Sequence, residues 1–197
     1  MSLEAQWRAL YRLLYKRDAR EAFLGGGEIA VAGLTESAAA QLRAVPAERL
    51  RRVVELHATD IGFNWYRPRV PGTWLALQGS LEVDEAELAT RLAQSEAFET
   101  RVDDDADGRA LAGFIEGEAS AGRLAETPWI GDLLRYELLI AGIGLAEGED
   151  RVEEFSYDVS AIRESLLQDS LCPTDEPETP VRLRFHRDAG GVEESPA

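Results

Sequence analysis

The chain has 197 residues, of which 45% are hydrophobic and 29% are charged, and its formal net charge is −16. This composition is typical of a globular protein with one large domain or two small ones. No apolar run approaches the roughly 20 residues of a membrane-spanning helix, and the N-terminus lacks the pattern of a signal peptide. The single cysteine, Cys172, excludes an intramolecular disulfide and a metal site built from cysteines. We therefore expect a cytoplasmic protein.

The charge is distributed unevenly along the chain. Residues 1–81 contain 11 basic and 8 acidic side chains, whereas residues 82–197 contain 10 basic and 29 acidic ones. Because affinity for nucleic acids comes largely from neutralised phosphates, we expect no nucleic-acid partner. The acidic half suits a basic partner or peptide, although solubility alone is the simpler explanation.

The N-terminal region reads as two helices separated by glycines. Apolar residues recur at three- and four-residue steps and predict one amphipathic helix; they are Leu3, Trp7, Leu10, Leu14 and Phe23. Residues 25–27 are glycines and predict the end of this helix. Thr35 is a candidate N-cap for a second helix over residues 36–44.

Three further helix starts follow. Pro46 opens a helix that contains Leu50 and Val53. Asp84 and Glu87 form a capping-box pattern before a helix over residues 85–94. Residues 127–128, Thr-Pro, open an apolar helix that we expect to be buried and to continue to residue 146.

The pattern changes to strands near residue 149. Val152, Phe155, Tyr157 and Val159 predict a strand, and Ser160 is positioned to cap a short helix that ends at residue 168. After a linker over residues 172–180, alternating apolar residues predict a second strand; they are Val181, Leu183 and Phe185. A two-stranded sheet alone is marginally stable, so a third strand comes from this chain or from a partner.

The predicted fold class is mainly α. We expect a helical N-terminal domain over residues 1–148 and a small α+β C-terminal appendage of two or three strands over residues 149–187. The last residues, 188–197, have a composition that predicts a disordered tail.

No motif for catalysis or metal binding is complete. Residues 103–108 imitate the first half of a calcium loop, but Phe114 stands where that loop needs a bidentate glutamate. His57 and Asp60 have the spacing of two metal ligands, yet the other histidine, His186, is far along the chain. The sequence also lacks a nucleophile setting and a phosphate-binding glycine loop. We therefore expect no catalytic, cofactor-binding or metal-binding residues and no enzyme activity.

An aromatic and basic segment over residues 64–74 is a candidate interface. We expect Pro68 and Pro71 to keep this segment extended. Tryptophan, tyrosine and arginine dominate interface hot spots, but the same aromatic residues could pack into the helical core. Both interpretations stay open for its residues, which are Trp65, Tyr66, Arg67, Arg69 and Trp74.

The C-terminal strands are a candidate peptide-binding element. An exposed edge at residues 181–185 could accept an extended peptide as an added strand. The alternative is that this strand pairs only with residues 152–158. The candidate peptide-binding residues are Phe155, Tyr157, Val159, Val181, Leu183 and Phe185.

Two stretches resemble known families. Residues 10–34, with Arg-Glu-Ala-Phe-Leu at 20–24 and Gly-Leu-Thr at 33–35, resemble the helical fold of the protocatechuate 4,5-dioxygenase α subunit. Residues 128–137, Pro-Trp-Ile-Gly-Asp-Leu-Leu-Arg-Tyr-Glu, followed by Phe-Ser-Tyr-Asp-Val at 155–159, are similar to partner subunits of multinuclear non-haem iron enzymes that modify ribosomal peptides, such as the methanobactin partner protein.

The second resemblance implies a role in recognition. It implies a non-catalytic subunit, in a heterodimer with an iron-dependent peptide-modifying enzyme, that helps to bind the precursor peptide in the biosynthesis of ribosomal peptide natural products. Iron would then belong to the partner enzyme, the leader of the precursor would join the C-terminal strands, and the segment over residues 65–74 would face the enzyme.

Two other functions remain open. A DNA-binding or transcriptional regulator is suggested by a more distant likeness to a family labelled putative DNA-binding, although the acidic charge opposes it. The N-terminal resemblance suggests instead an accessory α subunit of an aromatic-ring dioxygenase.

Overall fold

The computed structural model describes residues 9–10, 12–13, 17–28, 35–99, 105–169 and 176–197. The helices are α1 (Arg17–Leu24), α2 (Glu36–Arg43), α3 (Ala47–Ile61), the π-helix π1 (Gly62–Tyr66), α4 (Arg67–Arg69), α5 (Pro71–Leu81), α6 (Glu85–Gln94), α7 (Glu96–Glu99), α8 (Asp105–Ser120), α9 (Ile130–Ile140) and α10 (Val159–Asp169). The strands are β1 (Asp150–Phe155), β2 (Val181–Asp188) and β3 (Gly191–Pro196). The predicted class, mainly α with a small sheet, is confirmed.

The predicted glycine break and the first N-cap are confirmed. Gly26 adopts a φ of 90°, and the Gly27 N–H donates to the Ala22 carbonyl at 2.8 Å, which closes the end of α1. Thr35 accepts the Ala38 N–H at 3.3 Å and caps α2. Residues 3, 7, 14 and 33–34, which entered the N-terminal predictions, lie outside the described residues.

The segment over residues 64–74 is mostly helical, so the prediction that it is extended was wrong. It runs through π1, α4 and the first turn of α5. Pro71 is the first residue of α5, and Pro68 lies within the single turn of α4. Val70, just before α5, is not helical, so Pro71 occupies a first-turn position whose N–H would have no helical partner. Pro68 lies two residues past the end of π1, and the Asn64 carbonyl accepts Nη1–H of Arg69 at 3.3 Å instead.

Local signals determine the start of α6 but not the length of α9. Asp84 caps α6 by accepting the Glu87 N–H at 2.8 Å, as predicted. The apolar helix predicted to reach residue 146 ends at Ile140. Gly142 and Gly144, with φ values of 72° and 80°, turn the chain there towards the sheet.

The sheet is antiparallel with the order β1-β2-β3. Phe155 pairs with Val181 at one end of the β1–β2 ladder, so β1 ends before Tyr157, which was predicted to belong to it. The helix α10 begins at Val159, and Asp158 rather than Ser160 accepts the N–H of Ala161 at 3.1 Å. Ser160 was therefore the wrong cap.

The prediction of a disordered tail over residues 188–197 was also wrong, since residues 191–196 form β3. Asp188 accepts the N–H groups of Gly190 and Gly191 at 2.7 and 3.0 Å and so shapes the turn before β3. The Glu194 carboxylate in β3 accepts the Tyr136 hydroxyl at 2.6 Å. This tail contains few apolar residues, and its pairing partners lie elsewhere in the chain.

Helices and sheet share one core. One cluster of buried apolar side chains draws members from α5, α8, α9, the turn before α9, and the sheet; its largest include Trp74, Leu111, Trp129, Leu133, Phe155 and Phe185. Residues 149–187 therefore pack directly against the helices that precede them. A smaller cluster near the N-terminus contains Leu13, Phe23 and Leu50. Within the described residues, no helix combines the length and apolarity needed to cross a bilayer.

Candidate functional site

The strand side chains proposed to bind peptide lie mostly in the core. Phe155, Tyr157, Val159, Leu183 and Phe185 are each at most 9% exposed. Phe155 and Phe185 pack together against Tyr136, and the ring centroids of these three residues lie 6.1 to 6.3 Å apart. Val181 is half-buried against the same core. These side chains hold the sheet on the helices, so a peptide could reach the sheet only through its backbone edge.

The strand predicted to be an edge is the central one. β2 pairs with β1 on one side and with β3 on the other. Its residues Val181, Leu183 and Phe185 consequently have no open edge for an added strand, contrary to the prediction. The physical reason is that the chain supplies its own third strand from the tail. Among the strands that the structure describes, β1 and β3 have the open edges.

The register shows which backbone groups of β1 face outward. The Arg187 N–H donates to the Glu149 carbonyl, which makes residues 149 and 187 a hydrogen-bonded pair. In an antiparallel ladder such pairs alternate with non-bonded ones. The N–H and C=O groups of Asp150, Val152 and Glu154 therefore point away from β2, towards the free edge.

The helix α9 closes one end of this edge. Arg135 donates to the Glu154 carbonyl at 2.6 Å, and Asp132 accepts the Ser156 N–H at 2.7 Å. Both contacts satisfy backbone groups that face away from β2. The open part of the edge is thus centred on Val152, whose side chain is 39% exposed.

An apolar groove of about 530 Å³ lies beside the open edge, between α8, α9 and β1. Its apolar floor includes Ala112, Ile115, Leu134 and Leu138. Arg135 lines the groove and also contacts the free edge, so the groove and the edge adjoin. Side chains of a strand added to β1 would alternate between this groove and the outer face of the sheet.

The groove wall formed by β1 is charged. It includes Arg151 and Glu153 from the inner face of the strand. Arg151 donates to Glu149 at 2.6 Å, and the N–H of Ala146 donates to the same carboxylate at 2.8 Å. The amide first, and the guanidinium second, lower the pKa of Glu149 below its usual value.

The outer face of the sheet carries rows of opposite charge. Asp150 lies 3.1 Å from a ring nitrogen of His186, and Glu154 lies 3.6 Å from Arg182. Both pairs join cross-strand neighbours in β1 and β2. The outermost row, on β1, is therefore acidic apart from Val152.

The structure divides the aromatic and basic segment into core and surface residues. Tyr66 and Trp74 are at most 1% exposed and stack with their centroids 5.4 Å apart, as the core interpretation predicts. Trp65 is half-buried, while Arg67 and Arg69 are exposed. The Arg69 guanidinium lies over the Trp65 ring at 5.1 Å.

Sequence reasoning missed Phe63, an exposed neighbour of that segment. Its side chain is 42% exposed, and Arg67 lies over its ring at 5.8 Å. Because it falls on the outward side of a π-helical turn, the α-helical period gave no signal for it.

The described residues contain no group of three or more acidic, histidine or cysteine side chains that could hold a metal ion. Phe114 is buried in the core. Asp103 and Asp104, the start of the calcium-like loop, and Cys172 lie outside the described residues. His57 is half-buried.

No protein-family model matches this sequence, and no curated protein is similar enough to it to count as a match.

Proposed function

We propose that this chain is a non-catalytic subunit that binds an extended peptide along the free edge of β1. The supporting observation is the open edge centred on Val152 beside the apolar groove. Backbone hydrogen bonds along such an edge provide affinity, and pockets for alternate side chains provide specificity. The sequence expectation placed the added strand near residues 155–159 and 181–185, whereas the edge proposed here is that of β1, centred on Val152.

The surroundings of the edge select the chemistry of the peptide. Side chains that face the groove would contact Leu134 and Leu138 and should be apolar. Side chains that face outward would lie next to Asp150 and Glu154 and should be basic. The best ligand is therefore an extended segment in which apolar and basic residues alternate.

A proline substitution on each edge tests this binding mode. Val152→Pro removes an outward N–H from β1 without removing a β1–β2 hydrogen bond. Val192→Pro is the matched control, since the Ala197 N–H bonds to the Arg182 carbonyl and residue 192 therefore also faces outward, on β3. The probe is a fluorescein-labelled synthetic peptide of alternating leucine and arginine, and binding is measured by fluorescence anisotropy.

Val152→Pro loses one backbone hydrogen bond to the peptide and the packing next to it. Its affinity for the probe should therefore fall about tenfold, which corresponds to about 1.4 kcal/mol. Val192→Pro should bind like the wild type. Because both variants keep the net charge, equal affinities for all three proteins would show only non-specific attraction to an acidic chain and would refute edge binding.

The partner enzyme and the precursor peptide are the part of the proposal that rests on the family resemblance. We propose that the enzyme is iron-dependent and modifies ribosomal peptides, and that the exposed residues Arg67 and Arg69 face it together with the half-buried Trp65. A tagged chain captured from the lysate of its source at low salt, with mass spectrometry of bound material, tests this. Recovery of an iron enzyme with a short peptide supports the proposal, whereas recovery of nucleic acid would favour a regulator.

A further inference from the structure

The helix α3 has an apolar stripe on its solvent side. Val53 and Leu56 are 41% and 54% exposed, and Phe63, just beyond the helix in π1, is 42% exposed. Leu50, in contrast, is 5% exposed and belongs to the N-terminal core cluster. At about 100° per residue, Leu56 lies roughly 120° around the helix from Leu50. The helix therefore presents apolar residues both to the core and to solvent.

Charged residues flank this outer stripe in a definite order. Arg49 and Arg52 lie towards the N-terminus of α3, and Asp60 lies towards its C-terminus. Arg52 and Asp60 are both exposed, and their local contacts are with neighbours on the same helical segment: Glu55 at 3.5 Å and Asn64 at 2.6 Å. Such exposed contacts contribute little, so both side chains can change partners at small cost.

This order of charges is self-complementary about Leu56. Residues 52 and 60 are equally distant from residue 56, each by about 6 Å along the helix axis. When two copies of α3 pack antiparallel with Leu56 at the two-fold axis, Arg52 of each copy meets Asp60 of the other. Arg49 of each copy also lies towards Phe63 of the other, whose exposed ring, already contacted by Arg67 in its own chain, can accept a second cation–π contact. Because of the two-fold symmetry, each of these contacts is made twice in the dimer.

We propose that the stripe formed by Val53, Leu56 and Phe63 docks on the same stripe of a second copy of this chain. The occupant is identified by its charges, since the basic and acidic ends of the stripe match only in the antiparallel arrangement. A single helix face lies at the low end of interface sizes, so we expect a weak dimer with a dissociation constant on the order of 10 µM. The sheet edge takes no part in this interface, so the proposal does not depend on peptide binding.

Sedimentation equilibrium of the purified full chain, from about 1 to about 200 µM, tests the proposal. The wild type should shift from monomer to dimer across this range. Leu56→Glu places a charge on the axis of the interface and should raise the dissociation constant at least about tenfold. Leu167→Glu is the matched control, because Leu167 on α10 is also exposed, at 42%, and should leave the dimer unchanged.

A charge exchange identifies the arrangement itself. Arg52→Asp and Asp60→Arg should each weaken the dimer, because each places like charges opposite one another. The double variant restores both pairs and should recover most of the wild-type association. A wild type that stays monomeric throughout overturns the proposal. So does a folded double variant, verified by circular dichroism, that associates no better than the single variants, or an equal loss of dimer in Leu167→Glu.

Discussion

The carboxylate of Glu137 joins three helices inside the core, and its removal should strongly destabilise the fold. Glu137 lies on α9 and is 1% exposed. It accepts the N–H groups of Gly72 and Thr73, both at 2.8 Å, from the first turn of α5. It also accepts the Nε–H of Arg163, on α10, at 2.9 Å. The carboxylate thus caps α5 and neutralises a cation from α10.

The size of the effect follows from the donors left without a partner. In Glu137→Ala, two buried amide N–H groups lose their acceptor, which costs about 1–3 kcal/mol each. The Arg163 guanidinium, with its side chain 31% exposed, loses its ion-pair partner but can still bind water, so we expect a total loss of about 2–5 kcal/mol. In Glu137→Gln, the remaining amide oxygen still accepts from Gly72, but the new NH₂ group faces the Thr73 N–H. We expect that variant to lose about 2 kcal/mol of unfolding free energy.

Urea unfolding followed by tryptophan fluorescence, with circular dichroism as a second probe, measures both losses. Glu116→Gln is the control, because Glu116 is exposed on α8, and its replacement should change stability by less than about 0.5 kcal/mol. If Glu137→Gln were as stable as Glu116→Gln, the carboxylate would not hold these helices together and the reasoning would be refuted.

Three further predictions concern the same region. Gly72→Ala places a Cβ atom 3.0 Å from Oε1 of Glu137. Although alanine has the higher helix propensity, this close contact should lower the free energy of unfolding, measured in urea, by about 1–2 kcal/mol. A stabilised variant would contradict this. The Thr73 hydroxyl is buried with no hydrogen-bond partner among the described residues. Thr73→Val should therefore raise the melting temperature and stabilise the fold by about 1 kcal/mol. A loss of stability would instead show that the hydroxyl has a partner. Burial first, and the hydrogen bond to Glu194 second, raise the pKa of Tyr136 to about 12. As the pH rises, the unfolded state loses the hydroxyl proton first, so the free energy of unfolding should fall by up to about 2 kcal/mol between about pH 10 and 12. Tyr136→Phe should show a smaller fall over that range. An equal fall in both proteins would refute the raised pKa of Tyr136.

The sequence predicted those features that depend on neighbouring residues. Thr35 and Asp84 cap α2 and α6 as expected, because an N-cap bonds to an amide only three residues away. The alternation of Val181, Leu183 and Phe185 correctly indicated a strand, because the side chains of a strand point to opposite faces in turn. The N-terminal glycines likewise end α1 through bonds within a few residues.

The errors concern features that depend on distant residues. The tail over residues 188–197 has the composition of a disordered segment, yet it forms β3 against β2 and bonds to Tyr136 on α9. The prolines of residues 64–74 favoured an extended chain, but Tyr66 and Trp74 bring that segment into the helical core. In both cases burial and long-range pairing outweigh the local preference.

The candidate site was only partly predictable for the same reason. The strands could be located from the sequence, but which of them is central depends on whether a third strand pairs with β2, and nothing local to residues 181–185 encodes that. The groove beside Val152 exists because α8 and α9 meet β1. Likewise, Glu137 reads in the sequence as one polar position in an apolar helix, and its three donors lie 26 to 65 residues away. By itself the sequence determined the helical class, the caps and the strand alternation, because these arise within a few residues. Only the tertiary structure decided the order of the strands, the open edge and the buried carboxylate, because each requires groups that the chain brings together from far apart.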